Sequence, residues 1–355
     1  MLSRMLWAIA LLPAVASPAR AGELHTERVF GPEVPTGPYK HPAALAELDN
    51  GDLYLVYYGG AGEYAVETAV WGSRKKPGER TWSAPVAIAR DPFRSVGNAV
   101  IWQAPDGLVW LFYVVRYGET WSTSRIQFKV SQDGAQSWSD ASPLALEAGM
   151  MVRNRPIVLS DGHYLLPAYH ETGQDTERVG ADSVSLFFRF DPRATTWTQT
   201  GPIRSPKGNI QPAPVQLDDG RLIAYCRRGG GYTKEEKGYL VRAESHDGGR
   251  TWTEGRDSAF PNPNAAVDFL KLRSGCLLLI YNDCFHGRSP LTAALSEDND
   301  KTYPFKRNLA EGPGDFAYPF AIQARDGKIH LVYTSDRRTV VNYAVFDEAW
   351  VRESK

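Results

Sequence analysis

Three observations predict an all-β fold, a six-bladed β-propeller closed by its N-terminal strand. A glycine-centred turn recurs six times at nearly constant spacing. One hairpin motif returns between those turns. The composition of the 355-residue chain, with 10 Trp, 17 Tyr, 32 Gly and 24 Pro, suits aromatic strands punctuated by turns rather than helices.

The turn glycines are Gly51, Gly107, Gly162, Gly220, Gly275 and Gly327, spaced by 56, 55, 58, 55 and 52 residues. Each follows an apolar run and leads into a second run ending in tyrosine: Tyr57, Tyr113, Tyr169, Tyr225, Tyr281 and Tyr333. All but the Ser274-Gly275 version place Asp or Asn before the glycine, the chemistry of a hairpin turn. A repeat of about 55 residues built from short strands is a propeller blade. A split β-sandwich fits six equal repeats poorly.

The second motif is complete at Ser245-His246-Asp247-Gly248-Gly249-Arg250-Thr251-Trp252. Ser131 to Trp138 is a close copy, Ser296 to Tyr303 a weaker one, and Arg80-Thr81-Trp82 and Thr195-Thr196-Trp197 end degenerate copies. This is an Asp box. Its acid and hydroxyl bond turn backbone and its aromatic packs between sheets, so the expected role is structural. The sixth unit is short, with 28 residues after Gly327. Leu24 to Phe30 alternates in polarity and is expected to supply the outer strand of the last blade.

The first 21 residues read as a secretory signal peptide. Arg4 gives the positive start, Met5 to Ala16 the apolar stretch, and Ala19-Arg20-Ala21 the small-x-small cleavage site. The apolar run is short for a membrane span and is interrupted by Pro13. The expected organisation is 1–21 signal peptide and 22–355 one propeller domain, exported to the periplasm or secreted.

Lys and Arg total 40 and Asp and Glu 41, a net charge of −1, which gives no electrostatic footprint for nucleic acid. Cys226, Cys276 and Cys284 are odd in number and form no CxxC pair, so buried thiols fit better than a metal site. Gly229-Gly230-Gly231 lacks the Lys-Ser/Thr of a phosphate loop, and neither HExxH nor Gly-x-Ser-x-Gly occurs. No cofactor and no metal are expected, and the mature chain is read as a monomer.

In a propeller, the innermost strand of each blade starts near the axial pocket, and polar residues there are site candidates. About ten residues before the turn glycines stand His41-Pro42, Gly97-Asn98, Arg153-Asn154-Arg155-Pro156, Gln211-Pro212, Asn262-Pro263-Asn264 and Tyr318-Pro319. Turn chemistry accounts for the prolines and some asparagines. It accounts less well for Arg153, Arg155, Gln211 and Tyr318.

With its Asp boxes and six repeats, the chain resembles the sialidase (neuraminidase) superfamily, and more closely bacterial sialidase-like proteins with BNR repeats. The likeness runs through Gly59 to Glu63, Arg153 to Ile157, Leu165 to Glu171, Gln211 to Ala213, Asn262 to Asn264, Tyr281-Asn282, Arg288 to Leu291, Ala317 to Pro319 and Tyr333 to Arg338. It implies an exo-glycosidase acting on a glycan with a terminal acidic sugar, whose carboxylate an arginine cluster grips. It implies a tyrosine nucleophile activated by a carboxylate, and an acidic residue for proton transfer.

Carried over by position, Arg227 and Arg288 stand for the second and third cluster arginines, Tyr318 for the nucleophile and Glu63 for the acid–base. Two departures stand out. His41-Pro42 occupies the place of the first cluster arginine, and Gln211 falls where the activating carboxylate belongs. Glu171 or Glu244 could replace that carboxylate, and Arg153, Arg155 and Arg338 could complete the cationic cluster. His41, Gln211 and Asn264 are expected as binding contacts. Three functions stay open: a hydrolase of acidic sugars, a glycan-binding module without catalysis, and a lyase acting on uronic acids with Tyr318 and His41. A carboxylate within hydrogen-bond reach of the Tyr318 hydroxyl would favour attack by that tyrosine.

Overall fold

In a computed structural model, which describes residues 22–173, 178–233 and 237–353, the chain forms six antiparallel sheets around an axis. The expected signal peptide, Met1 to Ala21, lies outside the described residues. The first blade runs outward through Tyr39–Glu47, Leu53–Gly60, Ala69–Lys75 and Val86–Arg90. The second runs through Val96–Gln103, Val109–Arg116, Ser124–Ser131 and Ser142–Ala145. In the third, the inner strand is broken into Met150–Val152 and Ile157–Val158, ahead of Tyr164–His170, Val184–Asp191 and Thr196–Ile203.

The fourth blade is Asn209–Gln216, Leu222–Arg228, Tyr239–Ser245 and Arg256–Pro261. The fifth is Asp268–Lys271, Leu277–Asn282, Leu291–Ser296 and Phe305–Ala310. The sixth takes Ala317–Gln323, Ile329–Ser335 and Val340–Phe346 from the C-terminal end and His25–Phe30 as its outer strand. His25 pairs with Val345 and Thr26 with Ala344, so the N-terminal strand closes the ring as its alternation predicts.

Each repeat glycine joins the first strand of its blade to the second. All six have φ between +85° and +90°, and each donates its N–H to the carbonyl three residues earlier, as Gly51 does to Leu48 at 2.8 Å. A side chain is strained there, which explains the glycine at every copy. The three better Asp boxes behave as staples. Asp247 accepts from the N–H groups of Arg250 and Thr251 and from the Ser245 and Thr251 hydroxyls at 2.6–3.0 Å. Asp133 and Asp298 repeat the pattern.

Four residues before five of the six turn glycines, a side chain bonds the preceding blade. Gln103, Gln216 and Gln323 accept from the backbone N–H of Asp49, Ser160 and Arg273 at 2.6, 2.7 and 2.8 Å. Each also donates to the carbonyl of its own turn glycine. Glu47 accepts from Arg325 N–H at 2.8 Å and so bonds the first blade to the sixth. Lys271 has no acceptor to offer and pairs with the Asp218 side chain at 2.5 Å. At the remaining interface the equivalent position is Val158, and the residue equivalent to the N–H donors is Pro105, which has no N–H. Backbone groups at four of six blade interfaces are thus tied by one repeated position, and a fifth interface by a side-chain ion pair at that position.

The inner strands share a second irregularity, and this one builds the site. Their pairing skips two residues: 41–42 in the first blade, 98–99 in the second, 211–212 in the fourth and 318–319 in the sixth. In the third blade the strand breaks over 153–156, and in the fifth it starts only after Asn264. Asn98, Gln211, Asn264 and Tyr318 have left-handed backbone, with φ of +43°, +57°, +59° and +55°. Bulges re-aim side chains, and strained backbone at such places marks functional sites.

Candidate functional site

The bulges, and the segment ahead of the fifth inner strand, gather His41, Asn98, Gln211, Asn264 and Tyr318 from five blades at one end of the axis, in contact with side chains from the second strands and their loops. Tyr318 is 8% exposed and central. Its hydroxyl accepts from Arg227 Nη1 at 2.7 Å and from Gln211 Nε2 at 3.3 Å. The Arg288 guanidinium lies 5.5 Å from the ring centre, and that of Arg153 5.2 Å away. The His41 ring meets the Tyr318 ring edge-on at 4.1 Å between centroids.

Burial pushes the Tyr318 hydroxyl towards a higher pKa. Arg227, Arg288 and Arg338 and the Gln211 hydrogen bond outweigh that push, and the pKa falls below the ordinary tyrosine value. The same surroundings act in the opposite sense on His41. Burial, then Arg338, Arg288, Arg153 and Arg227, hold its pKa well below the usual imidazole range. His41 is therefore neutral. Thr334 Oγ1 lies 2.7 Å from His41 Nδ1 and 3.3 Å from Ala317 O, which fixes the ring against the sixth blade.

Two carboxyl groups line the pocket with these residues. Glu63 accepts from Arg338 Nη1 through Oε2 and from Trp121 Nε1 at 3.3 Å through Oε1. For Glu171, burial raises the pKa to about 7 against the pull of Arg227 and with a further push from Glu63. Among the described residues, no carboxylate is recorded in hydrogen-bond contact with the Tyr318 hydroxyl; both of its partners are N–H donors. Glu244 sits on the third strand of its blade, paired with Arg242 at 2.8 Å and Arg221 at 3.3 Å, outside the pocket lining.

The arginines divide by position. Arg227 is buried and bonded to Asn264 Oδ1 through Nε at 2.6 Å, whereas Arg228, pointing to the other face of the strand, bonds Asn262 O and Gly229 O. Arg338 reaches Glu63 and Tyr39. Arg153 is 1% exposed, donates to Pro319 O at 2.8 Å and lies under the Tyr318 and Phe320 rings. Arg155 leaves the cluster. Its Nη1 lies 2.9 and 3.0 Å from the two Asp268 oxygens, and Asp268 also accepts from Ala321 N–H at 2.6 Å. Arg155 lines the cavity at the opposite mouth of the axis, whose wall includes Gln103, Gln216 and Gln323. The break over 153–156 sends neighbouring arginines to different levels, which a count along the strand does not foresee.

Further pocket residues lie off the inner strands: one, Tyr169, is a repeat tyrosine, and the others stand in loops outside the repeat. Tyr169 ends the second strand of the third blade, and its hydroxyl accepts from Asn98 Nδ2 at 2.8 Å and Gln211 Nε2 at 3.5 Å. Tyr64 and Trp121 stack at 5.3 Å in loops of the first and second blades. Tyr232, after the glycine triplet, meets Arg227 Nη2 at 2.6 Å. These loop residues have no equivalent position in other blades; only the glycines before Tyr232 signal its place. Among the described residues no group of His, Cys, Asp or Glu could hold a metal ion, and no helix is long and apolar enough to cross a membrane. All three cysteines are free.

Residues 51–331 match the model of the BNR repeat-like domain. No curated protein matches the chain. Among solved structures, a Hadza microbial sialidase superposes with a TM-score of 0.76 at 16% identity, covering 92% of this chain and 69% of that one. A protein of unknown function from Dyadobacter fermentans gives 0.75 at 16%, covering 91% and 99%. The intramolecular trans-sialidase from Ruminococcus gnavus, in complex with oseltamivir carboxylate, gives 0.73 at 14%, covering 92% and 98%. At these identities the likeness is one of fold.

Proposed function

The chain belongs to the BNR repeat-like domain family of sialidase-like propellers, and from that premise we propose that its axial pocket removes a terminal acidic sugar from glycans, outside the cytoplasm. The observation that carries this reading is the Tyr318 hydroxyl, an acceptor for Arg227 and Gln211 in a ring of guanidinium groups. Arginines suit a sugar carboxylate because they offer paired N–H donors at fixed spacing. The same positive field favours the phenolate, the nucleophilic form of tyrosine. The segment Met1 to Ala21 supports export.

In this reading Arg227, Arg288 and Arg338 take the carboxylate. The Tyr318 phenolate oxygen forms a bond to the anomeric carbon as the bond from that carbon to the leaving oxygen breaks. Glu171, with its pKa near 7, gives its proton to the leaving oxygen. Water then attacks the anomeric carbon, its proton returns to Glu171, and Tyr318 departs as phenolate. Glu63 orients Arg338. Arg153, beneath the ring, acts as a positioning residue for Tyr318.

A second reading is supported by the N–H partners of Tyr318 and the neutral His41 at its edge: proton abstraction by Tyr318 from a uronic acid, with elimination. The deciding experiment incubates the purified protein with sialosides, other keto-sugar acid glycosides and uronides. Release of a saturated sugar acid supports hydrolysis. An unsaturated product absorbing in the ultraviolet replaces it with elimination. Saturable binding without either product leaves a glycan-binding module.

A further inference from the structure

Every nitrogen of the Arg227 guanidinium has a partner. Nε bonds Asn264 at 2.6 Å, and Nη1 bonds Tyr318 at 2.7 Å with Gln211 at 3.5 Å. Tyr318 and Gln211 are buried on inner-strand bulges, and Asn264 is buried just ahead of the fifth inner strand. Nη2 bonds the Tyr232 hydroxyl at 2.6 Å, and Tyr232 differs from the other three: it is 43% exposed and sits in a loop. Its approach is held by the backbone, since Gly230 N–H donates to Val179 O at 3.3 Å and Asn264 Nδ2 donates to Gly230 O at 2.8 Å. The ring itself can leave Arg227 by rotation about its own side-chain torsions.

We infer that Tyr232 is a specificity-determining plug, its phenol oxygen holding on Arg227 the place of one oxygen of a ligand carboxylate. The inference rests on the acidic-sugar reading and says how that site selects charge. A carboxylate pairs with a guanidinium through two parallel N–H groups, and charge makes those bonds stronger than a neutral phenol's. An acidic sugar therefore displaces Tyr232. A neutral sugar hydroxyl offers Arg227 nothing that the phenol does not already supply, so it gains little by entering. Tyr232 sets a threshold that only an anion clears.

The test is calorimetric titration of the wild-type protein, Tyr232→Phe and Arg227→Met with N-acetylneuraminate, glucuronate and neutral N-acetylglucosamine. Tyr232→Phe keeps the ring and removes only the competing oxygen. Loss of one hydrogen-bond competitor is expected to tighten binding of the acid about three- to tenfold. On an Arg227→Met background, Tyr232→Phe should bring no such gain. Equal or weaker acid binding by Tyr232→Phe overturns the inference and leaves the acidic-sugar reading standing. If wild type and Tyr232→Phe both ignore every acid, that reading falls and takes the inference with it.

Discussion

Arg227 donates a 2.7 Å hydrogen bond to the hydroxyl of Tyr318 from a blade two positions away around the ring. The pair joins a second strand of the fourth blade to the inner-strand bulge of the sixth. A tyrosine with a carboxylate partner is activated by giving up its proton to that group. Tyr318 instead receives hydrogen bonds and lies in a cationic field, which stabilises the phenolate itself.

Tyr318→Phe should therefore separate chemistry from binding. Turnover is expected to fall by about 10³-fold or more, as losses of nucleophiles do. Affinity for the sugar acid should change by no more than about threefold, because the guanidinium groups remain. Steady-state kinetics and calorimetry on the same preparation check both halves. Full activity in the variant would remove Tyr318 from the mechanism.

Arg288 and Arg155 give opposite expectations. Among the described residues, the Arg288 guanidinium is recorded only against the Tyr318 ring, so it is available to a ligand. Arg288→Met should weaken acid binding by about 10- to 100-fold, the scale of a charge-assisted pair. Arg155→Met should leave acid affinity nearly unchanged. It strips the buried Asp268 of its cation and is expected to cost about 3 kcal/mol of stability. Titration calorimetry and urea unfolding distinguish the two patterns.

Glu171 sets the expected pH dependence. Its pKa is raised to about 7 by burial, so the carboxyl holds its proton below pH 7 and loses it above. Hydrolysis that needs this proton should decline as pH rises through about 7, and Glu171→Gln should lose turnover across the range. Stability follows the same sign. The folded state binds this proton more tightly than the unfolded chain, so stability falls as pH climbs from the ordinary carboxyl range towards 7. Glu171→Gln should flatten that fall. Melting temperature measured against pH checks it, and an unchanged slope would exclude Glu171 as its source.

The propeller was legible because its two devices, the turn glycine and the Asp box, recur at fixed spacing and act within a blade. The ring of His41, Gln211, Asn264 and Tyr318 was legible for the same reason: each stands at the equivalent start of its blade, three of them on a bulge and Asn264 just ahead of its strand. Parity along a strand failed where the strand breaks, which is why Arg155 parts from Arg153. Tyr64, Trp121 and Tyr232 stand in loops of unequal length, where position along the chain carries no repeat. Gln211, expected as a binding contact, donates within the protein to both Tyr318 and Tyr169.

The blade latch offers a test independent of function. At the third-to-second interface the equivalent position is Val158, 46% exposed, and the equivalent N–H position is Pro105. Val158→Gln alone should change stability little, because Pro105 has no proton to donate. Pro105→Ser alone should cost about 0.4–1 kcal/mol through the freer unfolded chain. Together they recreate the pairing seen between Gln216 and Ser160 N–H. The double variant is therefore expected to exceed the sum of the singles by about 0.5–1.5 kcal/mol, the net worth of one hydrogen bond. Urea unfolding of the four proteins measures that coupling. Simple additivity would mean that this position spaces the blades without tying them.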